Sequence, residues 1–598
     1  MTAGTKKSWQ DISAAMIKHR EETIAAIDPA VPDPPKDVPL NVTGIPAQLL
    51  PKDVLSITET SSETLIQKLA SGELTSTAVT NAFLQRAGLA SKLTNCVTEL
   101  LPDRALDRAK ILDDHFAKHG KPIGPLHGLP ISVKEHLSMK GLDINAGFVS
   151  WVGKIAPDDA LILKLLRKAG AVFYVRTTEP QALMHLETDN NIYGVTVNPY
   201  NTALTSGGSS GGEGALIGMH GSCLGIGTDI GGSIRSPAAN NGVFGLRPTS
   251  FRLPVGGWAA TMIGSEHIIP VIGPLSTSLE GVKVFMKTLI DQQPWLYEPS
   301  LVNMPWKEAP SATLLRKTDG KRKLRIGILA DDGVVKPHPP ILRGINTLVT
   351  KLRENPDIEL VEFPPYKHEE AWQIISSLYF ADGAAQEREA IDASGEPWRP
   401  LTDFIISDNP NVKDLSITEL WKLTQDRDGY KAAYNQHWNS VNTSQPGPDK
   451  TSEVEVDAIP EMDKMVDVIL TPTGPGCAPP HDCSRYWGES PMSNTSCMSG
   501  TSADGHTHYR SGYTSQWNLL DYPCLIFPTG LQAGSQYKAE EGYKPRNEQD
   551  RYNHELYKPE TYVDAPISLQ LVGRRYEEER LIEALEMMTE FAGMPFTT

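Results

Sequence analysis

The chain has 598 residues, 39% hydrophobic and 22% charged, the balance of a folded globular protein with a large core rather than of a disordered or collagenous one. Its formal net charge of −17, from 73 acidic against 56 basic residues, repels phosphate backbones and anionic lipid, which argues against nucleic-acid and membrane-surface partners. Nor does any apolar run reach the ~18 residues of a membrane span.

In chain order, Ser8 to Ile27 places Trp9, Ile12 and Met16 at helical steps among charges, predicting an amphipathic surface helix. Asp28 to Lys52 then carries seven prolines and little periodicity, predicting an extended arm over the surface. From Ser56 helical patterns alternate with short apolar runs. Thr75 caps a helix through Leu84 to Leu89, and a strand follows from Cys96. Further strands are predicted at Ile131 to Val133, Ala171 to Val175, Leu324 to Leu329, Val466 to Leu470, Leu525 to Phe527 and Ile567 to Val572. Helices are predicted at Asp159 to Lys168 and Glu577 to Phe591. This alternation predicts an α/β fold, with helices packed on a mainly parallel or mixed sheet. The helix and arm (1–55) then precede one domain (56–598), within which Gly474 to Gly512, rich in Gly, Ser, Pro, His and Cys, reads as a long loop, either a lid or disordered.

The first residues, Met1 to Gln10, carry no apolar signal core. The six cysteines, Cys96, Cys223, Cys477, Cys483, Cys497 and Cys524, have no regular spacing. A reducing, cytoplasmic setting is the expectation, with the sequons at Asn41, Asn442 and Asn494 idle.

Two glycine-serine segments stand out: Gly207-Gly-Ser-Ser-Gly-Gly212 and Thr228-Asp-Ile-Gly-Gly-Ser-Ile-Arg235. A flexible linker is the plain reading of the first, but the small and apolar run Glu213-Gly-Ala-Leu-Ile-Gly that follows packs as a buried helix would. In the second, the backbone N–H groups of Ile230, Gly231, Gly232 and Ser233 can converge on negative charge, as an oxyanion hole for acyl transfer requires. Ser233 in that loop is a nucleophile candidate. It needs a base, and His220 is the nearest histidine in sequence between the segments. A lysine serves only when burial makes it neutral. Lys134 closes the apolar run Gly128-Leu-Pro-Ile-Ser-Val-Lys134 and fits, although a lone lysine is ordinarily solvated.

These three segments together resemble the amidase-signature family. In that family the lysine, the first serine of the double-serine loop and the serine after the second Gly-Gly form a Ser–Ser–Lys triad. Here they are Lys134, Ser209 and Ser233, 75 and 24 positions apart. Gly170-Ala-Val-Phe-Tyr-Val, Asn198-Pro-Tyr, Gly245-Leu-Arg-Pro-Thr, Val468-Ile-Leu-Thr-Pro-Thr and Pro566-Ile-Ser-Leu-Gln-Leu-Val-Gly extend the resemblance over most of the chain. Pro337-His-Pro-Pro-Ile-Leu-Arg-Gly and Ser394-Gly-Glu-Pro are similar to fungal acetamidase and general-amidase sequences. The Gly474 to Gly512 stretch departs from that pattern by its length, which leaves substrate preference open.

The resemblance implies hydrolysis of a linear carboxamide through an acyl-enzyme. Lys134 is the base, Ser209 the proton bridge, preceded by a cis peptide bond, and Ser233 the nucleophile. Ser210 and Asp229 orient the loops, and Arg235 pairs with a buried carboxylate. The signature core covers about 125–250. No cofactor or metal is expected, the partner is a small-molecule amide, esters are a conceivable side substrate, and a homodimer is the default assembly.

Three other readings compete. Gly207-Gly-Ser209-Ser-Gly211 fits the elbow of an α/β-hydrolase, with Ser209 as nucleophile, but that requires a strand just before it where Asn198 to Ser206 reads as polar turn. The glutaminase subunit of a tRNA-dependent amidotransferase shares the signature and would need partner subunits. A metal protein would use Cys477, His481, Cys483, Cys497, His506 and His508, whose spacing matches no zinc pattern.

Overall fold

The computed structural model describes residues 7–308, 323–441, 465–484 and 512–596. The first helix, Trp9–Ala25, begins at a reciprocal cap: the Ser8 hydroxyl accepts the Asp11 N–H at 3.1 Å and the Asp11 carboxylate accepts the Ser8 N–H at 3.2 Å. Its Trp9, Ile12 and Met16 face packs on Val149, Ile192 and Tyr193, as the helical spacing predicts. The proline-bearing arm is less uniform than expected, because Pro46–Leu49 and Lys52–Thr58 are short helices, each with proline at its start. The arm is also no loose terminus. Val31, Val42, Ile45 and Leu50 are buried in the main core, and the Val42 N–H donates to the Pro199 carbonyl at 2.9 Å.

Among the described residues, the short strands Asp189–Asn190 (β4), Gly194–Val195 (β5), Val197–Asn198 (β6) and Asn201–Thr205 (β7) form two small ribbons. Eleven others make one sheet. They are β1 (Val97–Leu100), β2 (Pro130–Lys134), β3 (Val172–Thr177), β8 (Leu224–Asp229), β9 (Phe244–Arg247), β10 (Val271–Ser276), β11 (Leu324–Ile328), β12 (Ile358–Glu362), β13 (Val468–Pro472), β14 (Cys524–Gln532) and β15 (Pro566–Val572). The order is β1-β3-β2-β8-β10-β9-β14-β15-β13-β11-β12. β2 runs parallel to β3 and β8, and β11 parallel to β12 and β13, while the remaining pairs are antiparallel. The sheet is therefore mixed. Every residue of β2, β3, β8, β10, β13 and β15 is buried, so both of its faces are covered. Full burial of side chains such as Ile131, Val133 and Ile226 contributes roughly 1.5–3 kcal/mol each relative to exposure, before the entropy of ordering them.

Of the long loop expected over 474–512, residues 474–484 lie along β7, where the Thr205 N–H donates to the Pro479 carbonyl at 2.9 Å, and 485–511 fall outside the described residues. Cys96, Cys223, Cys477 and Cys524 are free and buried, while Cys483 is disulfide-bonded. No described helix is long and apolar enough to cross a membrane.

Candidate active site

Parallel pairing of β2 with β8 sets the frame. Ser132 lies opposite Gly225 and Val133 opposite Ile226, so Lys134 and Asp229 close neighbouring strands at one edge of the sheet. Ligands of open α/β sheets gather at such an edge. Ser209 arrives from the turn between β7 and the helix Gly211–Gly218, and its peptide bond to Gly208 is cis. Gly208 has no room for a side chain: a Cβ there would lie 2.4 Å from the His185 carbonyl oxygen and 2.6 Å from the Glu187 nitrogen.

The structure brings Lys134 and Ser209 into contact. The Lys134 Nζ lies 2.6 Å from Ser209 Oγ and 3.0 Å from Thr228 Oγ1, with Lys134 entirely shielded from solvent. Burial pulls the amine down to about 7, against the pull of Glu179, Asp229 and Glu213, because a charged ammonium is poorly tolerated where water cannot solvate it. Ser233 belongs to the next loop, and the two serine loops are tied by the Ser210 N–H donating to the Ser233 carbonyl at 3.0 Å. Ser210 Oγ also lies 3.2 Å from the Thr228 nitrogen, which donates to it. Ser209 and Ser233 are both nearly buried.

Asp229 organises the Ser233 loop. Its carboxylate accepts the N–H groups of Gly232 at 2.9 Å and Ile234 at 3.1 Å, and two donors of Arg235 at 2.9 and 3.0 Å. Burial alone would raise its pKa, but the Arg235 charge and hydrogen bonds outweigh that and hold it at about 2. Arg235 thus pairs with a buried carboxylate, and that carboxylate is Asp229 itself. Arg235 reaches on to the Thr514 carbonyl at 2.8 Å and to Gln570 at 3.3 Å.

One expected oxyanion donor is corrected. The Gly232 N–H is committed to Asp229, because an aspartate side chain readily accepts from the backbone a few residues on. The N–H groups of Ile230, Gly231 and Ser233 have no acceptor among the described residues. Their neighbours' carbonyls are anchored: Ile230 accepts the Tyr379 hydroxyl at 2.7 Å and Gly231 the Thr514 hydroxyl at 2.6 Å. A planar peptide points its C=O and N–H in opposite directions, so Tyr379 sets where the Gly231 N–H points.

Several contributors escaped the sequence reading. Thr228 stands inside the second glycine-serine segment, and His136 lies two residues beyond Lys134; both were legible by proximity. Glu213 accepts the hydroxyls of Ser132 and Thr177 beneath the site, and burial raises it to about 7. Tyr379, Thr514 and Asn518 come from distant parts of the chain with no local signal. His220, near in sequence, lies beyond the far end of the helix Gly211–Gly218 from Ser209. The strand denied to the elbow reading does exist, as β7, but it pairs in a separate ribbon rather than in the main sheet. Of the cysteine-histidine group, Cys497, His506 and His508 lie outside the described residues, and His481 sits between Glu187 at 2.6 Å and the Thr202 carbonyl at 3.2 Å. Among the described residues, no three His, Cys, Asp or Glu cluster as metal ligands would. A small cavity of about 60 Å³ adjoins the Ser233 loop, lined among others by Leu186, Ser236, Asn240, Cys477, Tyr513 and Thr514.

The profile of the family described as Amidase matches residues 78–582. The chain is similar to an acetamidase of Emericella nidulans, 39% identical over 98% of this chain and 99% of that one. It is similar also to an acetamidase of Aspergillus oryzae, 36% identical over 98% and 99%. Among solved structures, a fatty acid amide hydrolase superposes with a TM-score of 0.85 at 32% identity, covering 98% of this chain and 96% of that one.

Proposed function

Because the chain belongs to the amidase family, and is therefore an enzyme that hydrolyses amides, we propose that it cleaves a linear carboxamide to acid and ammonia or amine through Ser233, Ser209 and Lys134. The observation that carries this reading is a solvent-shielded amine, held at about 7, 2.6 Å from a serine hydroxyl. Burial favours the neutral form of such an amine, and only a neutral amine can take a proton.

The reaction then runs as a relay. Lys134 takes the Ser209 proton as Ser209 takes that of Ser233, and Ser233 Oγ bonds to the amide carbon. The carbonyl oxygen becomes anionic against the N–H groups of Ile230, Gly231 and Ser233. The proton returns through Ser209 to the leaving nitrogen, the C–N bond breaks, and water releases the acid from Ser233 by the same relay. Residues 56–598 carry this chemistry, and the arm packs Val31, Val42, Ile45 and Leu50 into the same core.

Small carboxamides are the substrate class we infer. Two relatives, at 39% and 36% identity, carry the name acetamidase. Labelling with a fluorophosphonate followed by peptide mapping tests the chemistry: a single adduct on Ser233 is expected. An adduct on Ser209 that persists in Ser233→Ala would replace this reading with the elbow.

A further inference from the structure

Resting on Lys134 as the base, the geometry points to His136 as a positioning residue that, through Thr228, keeps the Lys134 lone pair free for Ser209. The argument starts at the far end of a hydrogen-bond chain. His136 is buried, stacked on Trp258 with ring centroids 5.6 Å apart, and fixed by its own carbonyl, which accepts the Ala259 N–H at 2.8 Å. Its Nδ1 lies 2.9 Å from the Ala259 carbonyl oxygen and its Nε2 3.1 Å from Thr228 Oγ1. Thr228 Oγ1 lies 3.0 Å from Lys134 Nζ, which lies 2.6 Å from Ser209 Oγ.

Direction follows from what each atom can do. A backbone carbonyl only accepts, so the hydrogen of the neutral imidazole is on Nδ1. Burial, with the neighbouring Lys134 charge, holds His136 down to about 3, so the ring is neutral across the working range. Its Nε2 therefore offers a lone pair, and the Thr228 hydroxyl donates to it. With its only hydrogen so engaged, Thr228 can only accept from Lys134. A neutral amine has two hydrogens and one lone pair. Thr228 takes one hydrogen, and the lone pair faces the only other hydroxyl within hydrogen-bond distance of Nζ among the described residues, that of Ser209. Without the imidazole, the Thr228 hydroxyl is free to rotate and donate into the lone pair that the relay requires. A base whose lone pair is already engaged takes protons less readily.

The test is a double-mutant cycle on kcat and KM with a small carboxamide, beside thermal unfolding of each variant. His136→Leu is expected to lower kcat roughly tenfold or more, as misplacement next to the reacting groups does, with KM within about twofold. His136→Gln places an amide oxygen where Nε2 sits and is expected to recover most of the loss. In a Thr228→Val background, which has no hydroxyl to misdirect, His136→Leu is expected to change kcat no further. Full kcat in His136→Leu, equal losses in His136→Leu and His136→Gln, or losses that multiply in the double variant would each overturn the inference. Should His136→Leu fail to fold, His136→Gln in the wild-type and Thr228→Val backgrounds still decides. There, loss of most of the kcat in the former overturns it, and near-wild-type kcat in the former with no added effect in the latter supports it. Lys134→Ala separates the two levels: an active Lys134→Ala removes the base reading itself, whereas an inactive one beside an unaffected His136→Leu removes only the role of His136.

Discussion

Asp229 and Arg235, six residues apart, form a buried ion pair with two hydrogen bonds of 2.9 and 3.0 Å that brackets Ser233 between its partners. The same carboxylate accepts the backbone N–H on either side of Ser233, at Gly232 and Ile234. The loop conformation is thus written into one side chain. Removing that side chain strands a guanidinium that water cannot reach.

Asp229→Ala is therefore expected to lower stability by about 3–5 kcal/mol, the cost of an uncompensated buried charge, measured by urea unfolding at pH 7. Its kcat should fall by at least about 100-fold, since the loop of the proposed nucleophile, Ser233, loses its frame. The pH window has a defined sign. The pKa is depressed from 3.8 to about 2, so the ion pair's contribution is complete above about pH 4 and is lost as pH falls through 2.

Lys134 titrates in the opposite sense. Its amine loses its proton near 7 in the folded protein and at 10.5 when unfolded. Activity should rise through about pH 7 to a plateau, and a flat profile would count against a lysine base. Between about 7 and 10.5 the unfolded chain holds a proton that the folded one does not, so this group destabilises the fold most at and below neutrality and progressively less as pH climbs. Lys134→Met should be inactive yet more stable by about 2–5 kcal/mol at pH 7, with the gain shrinking toward pH 10. Unfolding curves for both proteins at the two pH values check this.

Gly232 has φ of +134°, and a Cβ there would lie 2.6 Å from Thr514 Oγ1. Gly232→Ala is therefore expected to remain folded but to lose about 100-fold or more in the rate at which a fluorophosphonate phosphonylates the protein, with loss of fluoride. Adding Thr514→Ala removes the Oγ1 contact but leaves the Thr514 Cβ 2.9 Å away and the backbone conformation unchanged, and so should not restore the rate.

Tyr379→Phe removes the hydroxyl that holds the Ile230 carbonyl and nothing else of the ring. Because the adjoining peptide carries the Gly231 N–H, one of the proposed oxyanion donors, kcat should drop roughly tenfold with little change in KM, the mark of a donor used mainly in the transition state. Steady-state kinetics on one small carboxamide suffices.

The parts of the fold that were legible share one property, runs of branched or aromatic residues between turn formers. Ile131 to Val133, Ala171 to Val175 and Ile567 to Val572 lie within two residues of β2, β3 and β15. Of the two neighbouring strands that end at the site, β2 was legible and β8 was not. β8 reads Leu-Gly-Ile-Gly-Thr-Asp, and its glycines look like loop, yet a Cβ at Gly225 would lie 1.9 Å from Glu213 Oε2. Close approach, not flexibility, selects glycine there. β9, β10 and β12 were likewise missed. At the site, the serines and Lys134 stood out because their spacing matches a known pattern. Tyr379, Thr514 and Asn518 did not, because only the closed sheet brings them within reach of residues 229–235.

The reach of Arg235 to Thr514 and Gln570 also carries a consequence for biosynthesis. On the ribosome, a nascent chain that has already exposed Lys134, Ser209 and Ser233 still lacks the clamp for the Ser233 loop, and lacks β14 and β15 from the middle of the sheet. Enzymatic competence must therefore come late in translation, after more than 300 further residues have emerged. Chains that stall or are clipped before Gln570 would hold the proposed triad without the contacts that fix its Ser233 loop.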